Sequence, residues 1–152
     1  PEGHVFSYEI RPEMSRLAED NLRRLGLDDR VTLKTRDITE GFDETGVDAF
    51  FLDIPTAHNY IPQVRAALKP GGFFGALCPT TNQVSELLRT LEANRFAFLD
   101  VCEILLRYYK PVYHRLRPAD RMVAHTGFLI FGRPINLPDE EPLPGAEAEE
   151  DE

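Results

Sequence analysis

The chain of 152 residues contains no tryptophan, only two cysteines, and no apolar stretch that approaches the length of a membrane span. Such a span needs about 20 consecutive apolar residues. Cys78 and Cys102 each lie in an apolar run, without the CxxC or Cys/His spacing of a metal site. The opening residues also lack the pattern of a secretory signal. These absences predict a cytoplasmic protein with buried free thiols and no metal.

Basic residues are absent from the end of the chain. Residues 136–152 contain eight acidic residues and no Lys or Arg, so the formal net charge of −9 leaves −1 for residues 1–135. A segment rich in Pro and Glu buries too little apolar surface to offset the entropy lost on ordering. We predict a single domain over residues 1–135, long enough to bury a core, followed by an acidic disordered tail.

Apolar runs alternate with helical patterns over the first 95 residues. The strands are predicted at residues 4–10, 30–37, 47–53 and 71–79, and the helices at residues 12–26, 59–70 and 80–95. The strongly apolar run 47–53 is typical of a central strand that is covered on both faces. Two long β-like runs, 96–114 and 122–134, then follow each other without a helix. The pattern predicts an α/β fold with a mainly parallel twisted sheet and an antiparallel C-terminal edge.

Three of the predicted strands end in or beside an acidic residue. These are Glu9, Asp37 and Asp53. In open α/β sheets, ligands bind beyond the carboxyl ends of the strands. The three carboxylates are therefore candidate ligand-binding groups.

Four segments together resemble the tRNA adenine-N1 methyltransferases, which methylate an adenosine in the T-loop of tRNA. They are "VFSYEIRPEMSRLAEDNLRRLG", "LDIP", "PTTNQV" and "RPADRMVAHTGFLIFGRP", and the resemblance covers nearly all of residues 3–134. It implies a Rossmann-like class I methyltransferase fold, S-adenosylmethionine as the methyl donor, tRNA as the partner and a homotetramer.

The sequence departs from the pattern of this family in two places. The family carries a first strand, a glycine-rich loop and a small N-terminal domain before the segments that match, and we expect the chain to correspond to the C-terminal catalytic portion. In "LDIPTAHNY" the family usually has a second Pro and a Trp, where Ala57 and His58 stand here. This change affects the surface beside the predicted active site and leaves Asp53 in place.

The resemblance implies a role for each of the three acidic residues. Glu9 would bind the ribose hydroxyls of the cofactor, and Asp37 would accept a hydrogen bond from its adenine. Asp53 would be the catalytic residue, which accepts a hydrogen bond from the target adenine, and would also be one of the cofactor-binding residues. Each also has a plain structural interpretation: Glu9 as a surface carboxylate, Asp37 as a turn or cap residue, and Asp53 as a cap of the helix near residue 59.

A basic and tyrosine-rich segment, residues 107–121, contains five Lys or Arg residues against one Asp. The combination suits a nucleic-acid backbone, although a solvated basic face has the same composition. The predicted tRNA contacts are Tyr109, Arg115, Arg117, Arg121 and His125. The tyrosines could instead pack an edge strand, and His125 could satisfy a hydrogen bond inside the protein.

The leading hypothesis is therefore transfer of a methyl group from S-adenosylmethionine to N1 of a T-loop adenosine. Two alternatives stay open at this point. One is a non-catalytic tRNA-binding or assembly subunit of the same fold, and the other is a methyltransferase that acts on a small molecule.

Overall fold

The structure, a computed structural model, describes residues 3–122 and 125–136. The chain divides after Asp43 into two compact units. The predicted acidic tail lies outside the described residues from residue 137 onward. No helix in the described part of the chain has the length and apolar character needed to span a membrane.

The first unit is a strand-helix-strand motif. It consists of β1 (Val5–Glu9), α1 (Pro12–Leu25) and β2 (Val31–Thr35), and the two strands pair in parallel. Pro12 occupies the first turn of α1, where its missing N–H leaves no hydrogen bond unmade. Gly26 ends the helix in the left-handed conformation, with φ 65°. The elements predicted for residues 4–37 are therefore confirmed to within two residues.

The second unit is built around a sheet with the strand order β3-β4-β8-β5. β3 (Val47–Leu52) pairs in parallel with β4 (Leu68–Cys78), whereas β8 (Phe128–Pro134) pairs antiparallel with both β4 and β5 (Phe96–Cys102). The predicted antiparallel pairing of the last two runs is confirmed. The last strand, β8, lies between the earlier strands β4 and β5, however, so β5 stands at one end of this strand order.

Helices cover one face of this sheet. α2 (Ile61–Ala67) and α3 (Thr81–Ala93) pack against it, and Leu87 and Leu91 of α3 are fully buried. The sheet contributes Phe74 and Ile130, which are at most 1% exposed. Burial of each side chain of this size stabilises the fold by about 1.5–3 kcal/mol. The layer between the helices and the sheet is therefore the main apolar core of the unit.

The other face of β3 is less covered than the sequence predicts. Only Leu52 is buried, and Phe51, which points to the opposite face, is 57% exposed. The Phe51 ring lies across Gly75 on the paired strand, where an added Cβ would stand 2.8 Å from the ring. Within the described part of the second unit, the face of β3 that carries Phe51 is not covered by a helix, contrary to the prediction that both faces are covered.

Several predicted boundaries differ from the observed ones. The predicted helix 59–70 begins as a 3-10 turn, Ala57–Tyr60, continues as α2 to Ala67, and gives way to β4 three residues before the predicted strand start. The predicted run 96–114 is a strand only to Cys102, because its partner β8 begins at Phe128 and offers no further pairing. Residues 122–127 are likewise not strand where they are described.

A short hairpin replaces the rest of the predicted run 96–114. β6 (Tyr109–Lys110) pairs antiparallel with β7 (Arg117–Pro118), and Lys110 forms an ion pair with Asp120. The two cysteines are free thiols, of which Cys78 is buried and Cys102 half-buried. Burial raises the pKa of the Cys78 thiol, which keeps it protonated and unreactive at neutral pH.

Candidate active site

Asp53 lies at the edge of the second unit where three strands end. It directly follows β3, and the carboxyl ends of β4 and β5 and the start of β8 meet at the same edge because of the strand directions. A cavity of about 230 Å³ opens here. It is lined by Asp53, Ile54, Pro55, Leu77, Pro79 and Thr126. The lining is mostly apolar, with one carboxylate and one hydroxyl, which suits a flat aromatic ligand with a polar edge.

The structure does not support a capping role for Asp53. The residues at the N-terminal ends of the 3-10 turn and of α2 are Thr56 and Tyr60, and neither end has a side-chain cap. Within the described residues, the exposed Asp53 carboxylate has no hydrogen bond or ion pair of its own. A carboxylate without partners at a cavity is available to a ligand.

Gln83 joins two of the loops that surround the cavity. Its Oε1 accepts hydrogen bonds from the backbone N (3.1 Å) and the hydroxyl (2.8 Å) of Thr80, which completes a capping box at the start of α3. Its Nε2 donates to the carbonyl oxygen of Pro55 at 3.0 Å. One side chain therefore fixes the turn after Asp53 relative to the first turn of α3.

His125 makes two hydrogen bonds inside the second unit. Its Nε2 lies 2.8 Å from the carbonyl oxygen of Pro79, and its Nδ1 contacts a carboxylate oxygen of Glu103. The ring also packs at 4.7 Å from the ring of Phe128. The Pro79 carbonyl, and after it the Glu103 carboxylate, raise the pKa of His125 above its ordinary value of 6.5.

Glu9 lies at the carboxyl end of β1 in the first unit, where the carboxylate is held by Arg11. It accepts hydrogen bonds from the backbone N (2.9 Å), Nε (3.0 Å) and Nη2 (3.2 Å) of that residue. These contacts lower the pKa of Glu9, so the group is ionised at neutral pH. A carboxylate has about four acceptor positions, and Arg11 alone donates three hydrogen bonds to it, so Glu9 keeps limited capacity for a ligand hydroxyl.

Asp37 caps the short 3-10 turn Ile38–Glu40. Its Oδ1 accepts a hydrogen bond from the backbone N of Thr39 at 2.9 Å, as the capping interpretation predicts. The backbone N of Arg36 donates to the carbonyl oxygen of Glu9 at 3.1 Å, which joins the ends of β1 and β2. The structure thus brings Glu9 and Asp37 to the same edge of the first unit.

Four of the five predicted tRNA contacts, all except His125, lie on the hairpin of the second unit or beside it. Tyr109 and Arg117 belong to β6 and β7, Arg115 lies between these strands, and Arg121 follows β7. All four side chains are exposed, and nearby Tyr113 is 96% exposed. The alternative that these tyrosines pack an edge strand is not realised within the described residues.

Sequence reasoning missed two residues around the cavity, Gln83 and Glu103. The spacing of Thr80 and Gln83 is that of a capping box, so the contact of Gln83 with Thr80 had a local signal in the sequence. The contact of Gln83 with Pro55 had no such signal. Glu103 had none, because its partner His125 is 22 residues away along the chain.

Comparison with known proteins gives the family. Residues 1–125 match the family model described as tRNA methyltransferase complex GCD14 subunit. The chain belongs to this family. The four segments that suggested the tRNA adenine-N1 methyltransferases therefore indicated the correct group.

Two relatives illustrate the similarity of this GCD14-family chain to known sequences. The chain is 30% identical to the tRNA (adenine(57)-N(1)/adenine(58)-N(1))-methyltransferase TrmI of Methanocaldococcus jannaschii, with 86% of this chain and 56% of the relative covered. It is 33% identical to the tRNA (adenine(58)-N(1))-methyltransferase TrmI of Thermus thermophilus, with 84% and 51% covered. The chain thus spans about half the length of the curated relatives that it matches.

Solved structures show the same methyltransferase fold as this GCD14-family chain. A SAM-dependent O-methyltransferase from Thermotoga maritima superposes with a TM-score of 0.85 at 54% identity, covering 91% of this chain and 52% of that one. The tRNA (m1A58) methyltransferase TrmI from Aquifex aeolicus superposes with a TM-score of 0.79 at 37% identity, covering 88% of this chain and 54% of that one. The predicted Rossmann-like α/β class is confirmed.

Proposed function

We propose that the protein transfers a methyl group from S-adenosylmethionine to N1 of adenosine 58 in the T-loop of tRNA, the position named in its relatives. The observation that carries the proposal is the Asp53 carboxylate, which is exposed at the cavity where β3 ends and has no partner among the described residues. Membership of the GCD14 family supports the same reaction.

In this proposal the target adenine enters the cavity and Asp53 accepts a hydrogen bond from its N6 amine. N1 of neutral adenine carries a lone pair, so no base is needed to remove a proton before attack. Positive charge develops on the base as N1 becomes methylated and spreads to N6. The Asp53 carboxylate stabilises that charge more in the transition state than in the ground state, which accelerates the reaction.

The chemistry of the donor set in the first unit fits the adenosine part of the cofactor. Glu9 would accept from a ribose hydroxyl, and the carboxylate oxygen of Asp37 that does not cap the 3-10 turn would accept from the adenine amine. S-adenosylmethionine would supply an electrophilic methyl group on a sulfonium. The remaining gain in rate comes from holding N1 in line with that methyl group. The residues that line the cavity beside Asp53 would position the base in this way.

Glu9→Ala should weaken the binding of S-adenosylmethionine by about 10- to 100-fold, because hydrogen bonds to charged groups contribute about 1.5–3 kcal/mol. Titration calorimetry on the full-length protein measures this. Glu13→Ala is the matched control, since Glu13 is an exposed acid in the first turn of α1 and is assigned no ligand. Equal affinities for the two variants would show that Glu9 is only a partner of Arg11.

For tRNA we propose contacts from Tyr109, Arg115, Arg117 and Arg121. Their exposure on and beside the β6–β7 hairpin leaves them available to phosphates and bases. Tyr109 would stack on a base, and the three arginines would contact phosphates and fix the register of the tRNA. A cytoplasmic location, where tRNA is available, is part of the same proposal.

The test of the proposed function is a methyl-transfer assay with the full-length protein and labelled S-adenosylmethionine. We expect label in the T-loop of tRNA as 1-methyladenosine, identified by mass spectrometry of the digested RNA. The Thermotoga neighbour, named as an O-methyltransferase, gives a specific reason to include small hydroxylated acceptors in the assay. Label only on such an acceptor would support the small-molecule alternative, and no transfer would support the non-catalytic one.

Self-association is a further part of the proposal, with a homotetramer as the expected state. Between β5 and β8 the chain exposes many large apolar side chains, and within the described residues no other part of the chain covers them. They include Ile104 (74%), Leu106 (65%), Tyr108 (69%) and Leu116 (68%). Patches of this kind mark protein interfaces.

Light scattering at high micromolar concentration should therefore give a mass of several chains. Ile104→Lys and Leu106→Lys together should shift the population to smaller species, because each places a charge in the proposed interface. Arg89→Glu on the exposed side of α3 serves as a charge control. A monomeric wild-type chain would refute the proposed self-association.

A further inference from the structure

His125 joins three segments of the chain at the edge that carries Asp53. Its Nε2 contacts the Pro79 carbonyl oxygen at 2.8 Å, directly after β4. Its Nδ1 contacts Glu103, directly after β5. The residue itself stands three positions before β8. Three of the four strands that end or begin at this edge, β4, β5 and β8, are thus connected through one imidazole ring.

The partners of His125 determine where its hydrogens are. A backbone carbonyl only accepts, so Nε2 must carry a hydrogen, and an ionised carboxylate only accepts, so Nδ1 must carry one as well. A ring that donates from both nitrogens is an imidazolium, and its hydrogen bonds are charge-assisted and stronger than neutral ones. Of the groups that contact it from the segments after β4 and β5 and from β8, Glu103 is the charged one; the others are the Pro79 carbonyl and the Phe128 ring.

Two walls of the cavity depend directly on this ring. Pro79, whose carbonyl accepts from Nε2, lines the cavity, and so does Thr126, the residue after His125. We propose that His125 is a positioning residue that, by donating from both ring nitrogens, holds Pro79 and Thr126 in place beside Asp53. The inference rests on the proposed function, since the cavity is where we place the target adenine.

This role differs from the direct tRNA contact that the sequence suggests for His125. Both ring nitrogens are engaged within the unit, so a contact to tRNA would require one of the two hydrogen bonds to break. A direct contact would appear in the affinity for tRNA. A positioning role appears in the rate of the bound complex.

The two bonds give the arrangement a defined pH dependence. The pKa of His125 in the folded protein is raised above 6.5, so the imidazolium stabilises the fold fully below about pH 6.5. That contribution is lost as the pH rises through the raised pKa, when one nitrogen gives up its hydrogen. Removing the Glu103 carboxylate lowers the pKa of His125, so the stabilising contribution of the imidazolium should then be lost at a lower pH.

NMR titration of the full-length protein tests the proposal without an activity assay. We expect the His125 Cε1–H signal and the Thr126 amide to titrate with one shared midpoint above pH 6.5, and Glu103→Gln to lower that midpoint for both. Glu86→Gln is the matched control, because Glu86 pairs with Arg89 on α3 and should leave the midpoint unchanged. The proposal would be overturned if the Thr126 amide signal did not shift as His125 titrates, or if Glu103→Gln left the midpoint unchanged.

Kinetics on the same variants separate positioning from direct binding. With increasing pH, kcat for methyl transfer should fall about tenfold around the same midpoint, while KM for tRNA stays within about twofold, because displaced walls impair only the reacting geometry. A rise in KM for tRNA at constant kcat would identify a direct contact and overturn the proposal. An inactive protein in which His125 and Thr126 still titrate together would refute the proposed function and support the positioning role.

Discussion

Asp53→Ala in the full-length protein should lower the single-turnover rate of methyl transfer on the order of 10²–10³-fold, the usual loss when one electrostatic partner of the transition state is removed. The affinity for S-adenosylmethionine should change far less, because Glu9 and Asp37 are proposed to hold its adenosine part. The melting temperature should also change little, since the exposed carboxylate caps neither of the two helical segments that follow it.

Two further variants make this result specific. Asp53→Asn keeps the shape of the side chain but removes its negative charge, so we expect most of the same loss in rate. Asp48→Ala is the matched control, because Asp48 is an exposed acid on the same strand that pairs with Lys69 and is assigned no role in catalysis. Near-normal turnover in Asp53→Ala, or an equal loss in Asp48→Ala, would contradict the proposed mechanism.

Phe74→Ala should lower the free energy of unfolding by about 3–5 kcal/mol, the cost of removing a buried aromatic side chain. Phe74 is 1% exposed and packs edge-on against Phe96 at 5.5 Å between ring centres. Its neighbour Phe73 points to the other face, is 59% exposed and lies 3.7 Å beneath the guanidinium of Arg133. Phe73→Ala should therefore lower the free energy of unfolding by only about 1 kcal/mol, chiefly through loss of the cation–π contact.

Urea unfolding of the two variants, on the chain described above, measures both changes under one set of conditions. The comparison tests which face of the β3-β4-β8-β5 sheet is the core, because the two residues are adjacent and have the same side chain. Equal losses of stability would show that both faces are packed to the same extent, contrary to the exposure of Phe73.

Features with local causes were predictable from the sequence. Pro12 and Gly26 mark the ends of α1 because each residue fixes the backbone at its own position. The sequence predicts Asp53 at the end of a strand because the apolar run stops there. It also indicates a cap role for Asp37, because the partner Thr39 is only two residues away.

Features that depend on distant partners were not predictable in this way. The insertion of β8 between β4 and β5 is decided by pairing across more than 25 residues, and apolar content alone does not determine it. The apolar residues 104–106 suggested a strand but are exposed without a strand partner in the described part of the chain. The contact of His125 with Glu103 arises from that same long-range pairing.

The most direct test of the central claim compares two tRNAs that differ in one atom of adenosine 58, the position named in the relatives. One carries adenine, and the other carries 1-deazaadenine, in which N1 is replaced by C–H while the N6 amine is kept. With the full-length protein and labelled S-adenosylmethionine, the account predicts that the first tRNA gains 1-methyladenosine and that the second gains no methyl group at this position. Equal labelling of both tRNAs, or label on a ribose oxygen, would contradict methylation at N1.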